Sequence, residues 1–510
     1  MATFASIEES GPASLKVDHR RTACIMPSML TGLKGTRRHL SFFILLSLLL
    51  IAASFWRLGL ELARTAEAAT PTSPRTLIRN AALIITMDPK LGEGPLGTLA
   101  DADVLIAGDT ILSVGKQLSP PNTTIVDATG TIVLPGFVDL HNHLVQSIIR
   151  GGCPNHDLIA WLHDCALPAY HVLTPEDVYA AVRLSTLDLI GTGVTTVVDW
   201  AGGLKFEVSH EYVRALTESG MRFVYAPTPR KEELGVLKKL YDEVVKPNPL
   251  ATLQLAGASG MQHLTALTEA VRLAQEWGVA LNVHLLEHIR QREGEPIKSL
   301  KQSGALALRG HLLVNHAIHL TDEEIALLAK HDVRIAHNPL SNMRLASGIA
   351  RLPDLHASGL KIGLGLDGST NDTSDMFSDM RAAVGLQRVK TLQAGVYPTV
   401  TDVIRMATLG GAEALGMGDQ IGSLTPGKKA DLIVIDPAAA NFAPRFDWIG
   451  QLVFNTQPAN VTFVFVNGVA LKAHGEFVRV AETEAVKAGE LAAARLRDNM
   501  GRNRLMPPGQ

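Results

Sequence analysis

His141-Asn142-His143 closes an apolar run, Gly136-Phe137-Val138-Asp139-Leu140, that reads as a β-strand. Residues i and i+2 of a strand point the same way, so two neutral imidazoles at this spacing can share one metal ion. In a chain with 18 histidines such a pair decides nothing by itself. Its position does. Polar groups recur at the ends of later strand-like runs: His284 and Glu287 in ALNVHLLE, His316 in HLLVNHAI, His337 in VRIAHNP and Asp367 in KIGLGLDGS. Singly, each is more simply a hydrogen-bonded buried or rim side chain. In register across four strand ends, they argue for one site. Three His and one Asp form a donor set suited to Zn2+ or Fe2+, with water completing the shell.

The elements needed to position these groups are legible around them. Eight apolar, β-branched runs at 136–143, 194–200, 222–228, 252–259, 280–287, 311–318, 333–339 and 361–369 alternate with segments of helical periodicity such as 175–191. Thr321 before Asp322, Glu323 and Glu324 is a helix N-cap signal. Eight β/α units predict an α/β fold, a (β/α)8 TIM barrel, whose strand C-termini form the mouth where barrel active sites lie. Short β segments precede it at 77–86, 101–115 and 123–136, reading as a small antiparallel sheet, and β texture returns at 430–436 and 461–471. These two regions are expected to pair into one small β-sandwich domain built from both ends of the body. Residues 482–500 read as a charged amphipathic helix. The expected division is a leader over 1–68, the sandwich over 69–134 and 421–480, the barrel over 135–420, and a helix and tail over 481–510.

Composition excludes several classes. Of 510 residues 46% are apolar and 19% charged, with a net charge of −3, as in a globular protein. So little charge gives no field for a polyanion, and no nucleic-acid partner is expected. Leu40 to Trp56 is an uncharged apolar run behind Lys34, Arg37 and Arg38. Thr36-Arg37-Arg38-His39-Leu40 resembles a twin-arginine export signal, and Ala66-Glu67-Ala68 offers a cleavage site that would start the mature chain at Ala69. Export to the periplasm as a cleaved signal peptide is the first reading. A membrane anchor, which alone would give a membrane partner, and a leader that leaves the protein cytoplasmic are the alternatives. Without the eight basic and five acidic residues of 1–68, 39 basic and 45 acidic remain, a charge of −6. Cys24 lies in the leader. Cys153 and Cys165 are most simply free thiols, with one bridge between them open after export.

Two motifs mislead. Gly363 to Gly368 matches GxGxxG, but Asp367 inside the turn would face a pyrophosphate and no acidic residue follows at the spacing a dinucleotide site needs. His284 and His288 have helical metal spacing, but the run before them is strand-like, which leaves His288 to a loop or a supporting role.

With PGFVDLHNHL, the WL…P stretch around Trp161 and Pro168, GTGVTTVVD, HLLE, NHAIHLTDEE, AHNPLSN, LGLDGSTNDTSDMF and GSLTPGKKADLIVID on the page, the chain resembles the amidohydrolase superfamily over about 77–480. It is most similar to the branch of aminohydrolases and chlorohydrolases acting on nitrogen heterocycles. The resemblance implies one metal ion, Zn2+ ahead of Fe2+, held by His141, His143, His284 and Asp367. It implies that Glu287 carries protons to a ring nitrogen and that His316 holds the attacking water. Binuclear relatives bridge two metals with a carboxylated Lys on the fourth strand, and 252–261 contains no Lys. Nucleoside-type relatives look to grip ribose hydroxyls with a Glu just after the Pro of the WL…P stretch, and to carry a His in a turn after the fourth strand. Here Pro168-Ala169-Tyr170-His171 and Gly257-Ala258-Ser259-Gly260 stand instead, which moves a smaller base or triazine up.

The expected function is a hydrolytic deaminase replacing an amino group on a pyrimidine, purine or triazine type ring by water attack. Glu287, His316 and Asp367 form its catalytic set. His337 is expected at the substrate or attacking oxygen, and Trp161 and Trp200 against a planar ring or in the core. Hydrolysis of amide or cyclic ureide bonds is the alternative. A metal-loaded binding scaffold is disfavoured, because it would need neither Glu287 nor His316. The expected partner is a small heterocyclic substrate, and a homo-oligomer is expected.

Overall fold

The structure, a computed structural model, describes residues 74–368 and 373–501. The leader lies outside them. Every described residue belongs to one compact unit. Eight strands, Phe137–Asn142, Val194–Trp200, Arg222–Ala226, Ala251–Ala258, Ala280–Leu285, Leu312–His316, Arg334–His337 and Lys361–Leu364, lie side by side in chain order, each parallel to the next. Asp367 N–H donates to the His141 carbonyl at 2.7 Å and Leu366 N–H to Asp139 Oδ1 at 2.9 Å, which draws the two edges together into a nearly closed barrel. Alternation along the strands sorts side chains between two environments. Val197, Phe223, Leu312, Val314 and Ile335 join the large apolar core, while Val198, Val224, Leu313 and Ala336 join a separate small cluster with Val138 and Leu140.

Helices start where the sequence supplies caps. Thr174 and Asp177 form a reciprocal capping box ahead of Pro175–Gly191, and Thr321 and Glu324 form another ahead of Asp322–Lys330. The helix Glu482–Met500 is tied to the first of these by Arg495 and Asp177.

Nine strands from both ends of the body form a second sheet. Its join is Ile132–Pro135, antiparallel to Leu432–Ile435 and parallel to Arg75–Ile85. The first β segments were expected to be purely antiparallel, but Arg75–Ile85 also runs parallel to Thr124–Asp127, because the chain passes back before each return. The sheet curls over itself: a Cβ on Gly468, in the turn after Val461–Val466, would sit 2.1 Å from the carbonyl oxygen of Gly108, in the hairpin after Thr98–Ala107. Within the join, Ile132 and Leu134 pack into the barrel's core and Val133 into the sheet's own.

One buried ion pair locks sheet to barrel. Arg222, on the third barrel strand, donates from Nε to Asp431 Oδ2 at 2.8 Å and from a terminal nitrogen to Oδ1 at 3.2 Å. Both residues are about 3% exposed. Removing one partner leaves a buried unpaired charge, so Asp431→Ala should cost about 3–5 kcal/mol in urea unfolding of the metal-replete protein. A change below 1 kcal/mol would show that the lock carries no stability.

The reading of Cys153 and Cys165 as free thiols is corrected: they form a disulfide. Their Cα atoms lie 6.5 Å apart, within bridging range, because the chain turns back at Leu158–Trp161.

Candidate active site

Three strand ends and the loop after the eighth strand converge at one end of the barrel. His141 Nε2 lies 3.1 Å and His143 Nε2 3.3 Å from Asp367 Oδ1, and His316 Nε2 lies 3.9 Å from Oδ2 of the same carboxylate. Donor atoms of His141, His284, His316 and Asp367 all come within 4.8 Å of one another. His143 stacks on His284 with ring centroids 5.4 Å apart. Glu287 Oε2 is 3.5 Å from His316 Nε2. Thus His141, His143, His284, Glu287, His316 and Asp367 gather as one group, with His316 inside the tightest set where His143 was expected. His316 and Asp367 hold left-handed backbone, φ +71° and +59°, an uncommon conformation that turns both side chains off the strand line.

Burial disfavours the charged form of three of these histidines. Burial lowers the pKa of His141, takes His316 to about 3, and, with neighbouring imidazoles, puts His284 far below its ordinary range. Burial works to raise Asp367, but His141 and His316 outweigh it and hold the carboxyl well below the usual range. Glu287 goes the other way: burial, then the charge of Asp367, raises it well above 4.5. The site therefore pairs an ionised carboxylate with a protonated one. Lone pairs on neutral imidazoles beside a carboxylate are the donor chemistry a divalent cation requires. His141 is fully buried and neither ring nitrogen makes an aligned hydrogen bond, a cost a bound cation would remove.

Supporting groups orient the rings. His143 Nδ1 donates to the Trp200 carbonyl at 2.8 Å, which turns Nε2 toward Asp367. Asn338 and Asn342 Nδ2 lie 3.1 and 2.9 Å from His316 Nδ1, against 3.4 Å from Asn338 Nδ2 to Nε2, so Nδ1 is the better-placed acceptor and Nε2 the better-placed donor toward Glu287 and Asp367. Asp139 accepts from Asn142 Nδ2 at 2.7 Å and from the N–H groups of His141 and Leu366 at 3.1 and 2.9 Å, fixing both sides of the barrel seam. Sequence reading missed Asp139, Asn338 and Asn342. The first could have been found as an Asp inside an otherwise apolar strand; the asparagines carry no charge to draw notice.

A cavity of about 670 Å³ opens over the group, lined by His143, His284, Glu287 and Asp367 at its base. Trp161 and Trp200 line it as well, with Trp200 also set edge-on against His284 at 4.6 Å. His337, like His141 and His316, is buried and does not line the cavity, and it makes no hydrogen bond among the described residues. His288 caps the turn Ile289–Gly294 and joins no metal group. The GxGxxG glycines serve the seam: a Cβ on Gly365 would sit 3.0 Å from His141 Cβ and 2.3 Å from Asn338 Oδ1.

Residues 132–471 match the model of the amidohydrolase family. The chain belongs to the amidohydrolase family. It is 33% identical to the 5-methylthioadenosine/S-adenosylhomocysteine deaminase of Pelotomaculum thermopropionicum over 82% of this chain and 98% of the relative. It is 32% identical to the 5'-deoxyadenosine deaminase of Methanococcoides burtonii over 82% and 97%. Its fold is shared with a zinc-bound adenosine deaminase from Xanthomonas campestris, at TM-score 0.76 and 24% identity over 84% of this chain and all of that one. It is shared also with an atrazine chlorohydrolase from Arthrobacter aurescens complexed with zinc, at TM-score 0.74 and 24% identity over 82% and 100%. As an amidohydrolase the chain is a metal-dependent hydrolase of carbon–nitrogen bonds, and the His/Asp group at the barrel mouth is where such chemistry can occur.

Proposed function

We propose that this amidohydrolase removes the exocyclic amino group of an adenine-type ring, with one divalent cation, zinc ahead of iron(II), held by His141, His143, His284 and Asp367. The observation that carries it is the buried Glu287 carboxyl beside His316 and the Asp367 carboxylate. His143 is favoured over His316 as ligand because the Trp200 carbonyl engages its Nδ1 and turns Nε2 into the site, whereas the two asparagine amides on His316 Nδ1 favour Nε2 as a donor. A single ion is favoured because the fourth strand, Ala251–Ala258, has no lysine to bridge a second. Bound there, the metal would bring the pKa of water from about 15.7 toward about 7.

The residues complete the reaction. His316, donating from Nε2, holds the water oxygen against the ring carbon, and Asp367 Oδ2 accepts the proton that the water releases. As the oxygen–carbon bond forms, the C=N electron pair moves onto the ring nitrogen and Glu287 protonates it. The proton on Asp367 passes to the amino group, ammonia leaves, and the new hydroxyl returns its proton to Glu287 as the ring carbonyl forms.

Among the expected rings, an adenosine-type purine is favoured over a small base or triazine. A cavity of about 670 Å³ holds far more than one ring, and the relatives above act on adenosine-type purines by name. Ammonia release by metal-replete protein, compared across aminopurines, aminopyrimidines, amides and cyclic ureides, tests the reading. Turnover confined to amides or ureides would overturn it. His143→Ala should lose metal, while His316→Ala should keep it and lose turnover; the reverse pattern in elemental analysis would exchange their roles. Cleavage of the leader is part of the same proposal, with an expected N-terminus near Ala69 by sequencing of natively expressed protein. Finding residues before Leu40 would contradict it.

A further inference from the structure

One phenol in the catalytic cavity has a hydrogen to give and no group of the chain to take it. Tyr170, on the short helix Leu167–Val172, lines the cavity together with His143, His284, Glu287 and Asp367. Its oxygen accepts from Gln146 Nε2 at 2.7 Å, and among the described residues nothing accepts its own hydrogen. Burial pushes the phenol above its ordinary pKa, so that hydrogen stays in place at working pH.

The phenol is held on two sides. Gln146 is 3% exposed, and its N–H donates to the His143 carbonyl at 2.9 Å, which sets it in the turn Leu144–Ile149 just past the first barrel strand. Its Oε1 lies 3.0 Å from where a Cβ on Gly368 would sit, so the amide oxygen packs toward the Asp367–Gly368 turn and Nε2 serves Tyr170. The ring rests on the loop after the second strand, with Cδ2 3.4 Å from the position of a Cβ on Gly203. With its lone pair engaged by Gln146, the hydroxyl has to direct its hydrogen elsewhere.

Placement in the barrel says what that hydrogen meets. The eight strands follow chain order round the mouth, so the first and fifth lie across it from each other. Tyr170 and Gln146 follow the first strand, and Glu287 follows the fifth. A purine whose reacting edge meets Glu287 turns its other half, the imidazole ring and the sugar, toward Tyr170. That half carries acceptors, N7 and the sugar oxygens.

We propose that the Tyr170 hydroxyl, aimed by Gln146, donates a hydrogen bond to N7 or to a sugar hydroxyl oxygen of the bound nucleoside, which makes Tyr170 a specificity-determining residue and Gln146 a positioning one. The proposal rests on the deaminase reading for the ring and adds the contact that selects its far half.

The test is equilibrium binding of inosine, 7-deazainosine and 2',3'-dideoxyinosine to the metal-replete full chain, since none of them has an amino group to lose. Tyr170→Phe keeps the ring and removes the hydroxyl, and it should weaken inosine at least about fivefold. For at least one of the two analogues, the one without the acceptor, the same substitution should change affinity less than about twofold. Gln146→Glu keeps the size of the side chain but presents a carboxylate that takes the phenol's hydrogen. It should reproduce the Tyr170→Phe pattern, which a loss of packing would not do. Inosine affinity within about twofold of wild type in Tyr170→Phe, equal weakening of all three compounds, wild-type behaviour of Gln146→Glu, or no binding of inosine at all would overturn the proposal. The expected pattern without ammonia release from adenosine or 5'-deoxyadenosine would remove the deaminase reading and keep the contact. Ammonia release with affinities indifferent to Tyr170→Phe would do the opposite.

Discussion

Glu287→Gln at saturating metal is expected to lower kcat at least about 100-fold, close to 2.7 kcal/mol of barrier. The amide keeps the size and hydrogen-bonding reach of the acid but has no proton to transfer. Burial and the Asp367 charge keep the wild-type carboxyl protonated well above its ordinary range. The sign of the pH dependence follows: the working form is the acid, so kcat/KM should fall on the alkaline side as Glu287 ionises, and that limb should be missing from the Gln variant. Metal content should be unchanged. If Glu287 instead only steadied a metal ligand, the variant would bind metal roughly 10–100-fold more weakly, and excess metal would restore turnover. Recovery of kcat to within a fewfold of wild type would refute the proton-transfer role.

Metal removal is expected to have the larger effect. Without the cation the neutral imidazoles have nothing to bind, His141 is left buried without an aligned partner, and water keeps its ordinary acidity. Several kcal/mol of stabilisation are lost, roughly 1000-fold or more in rate. Chelation followed by dialysis should abolish ammonia release, and one equivalent of Zn2+ per chain should restore it. His284→Ala should behave as the chelated protein and resist rescue. Full activity after verified metal removal would contradict the site, and a requirement for two equivalents would contradict the single-ion assignment.

The barrel was legible because its strands alternate apolar side chains between two environments, a pattern that survives in one sequence as runs such as VTTVVDW and RFVYAPT. The site was legible because its groups sit at or just past strand ends, which the barrel gathers at one mouth: His141, His284, His316 and Asp367. Less local facts were not. Whether His143 or His316 presents a lone pair depends on a Trp200 carbonyl and two asparagine amides contributed by other segments. His337 follows the same strand-end pattern and is as buried as His316, but it lies outside the group of metal-ligating side chains. The Cys153–Cys165 bridge needed the path of the chain between them. The parallel pairing of Arg75–Ile85 needed the order of strands, which no single segment encodes.

The most direct test incubates the metal-replete chain with 5'-deoxyadenosine in water enriched in heavy oxygen and follows ammonia and the purine product by mass spectrometry. One ammonia released per purine converted, with heavy oxygen at the ring carbon that lost its amino group, is the expected result, absent from the chelated protein. An unchanged purine, while the same preparation hydrolyses an amide or a cyclic ureide, would contradict the account.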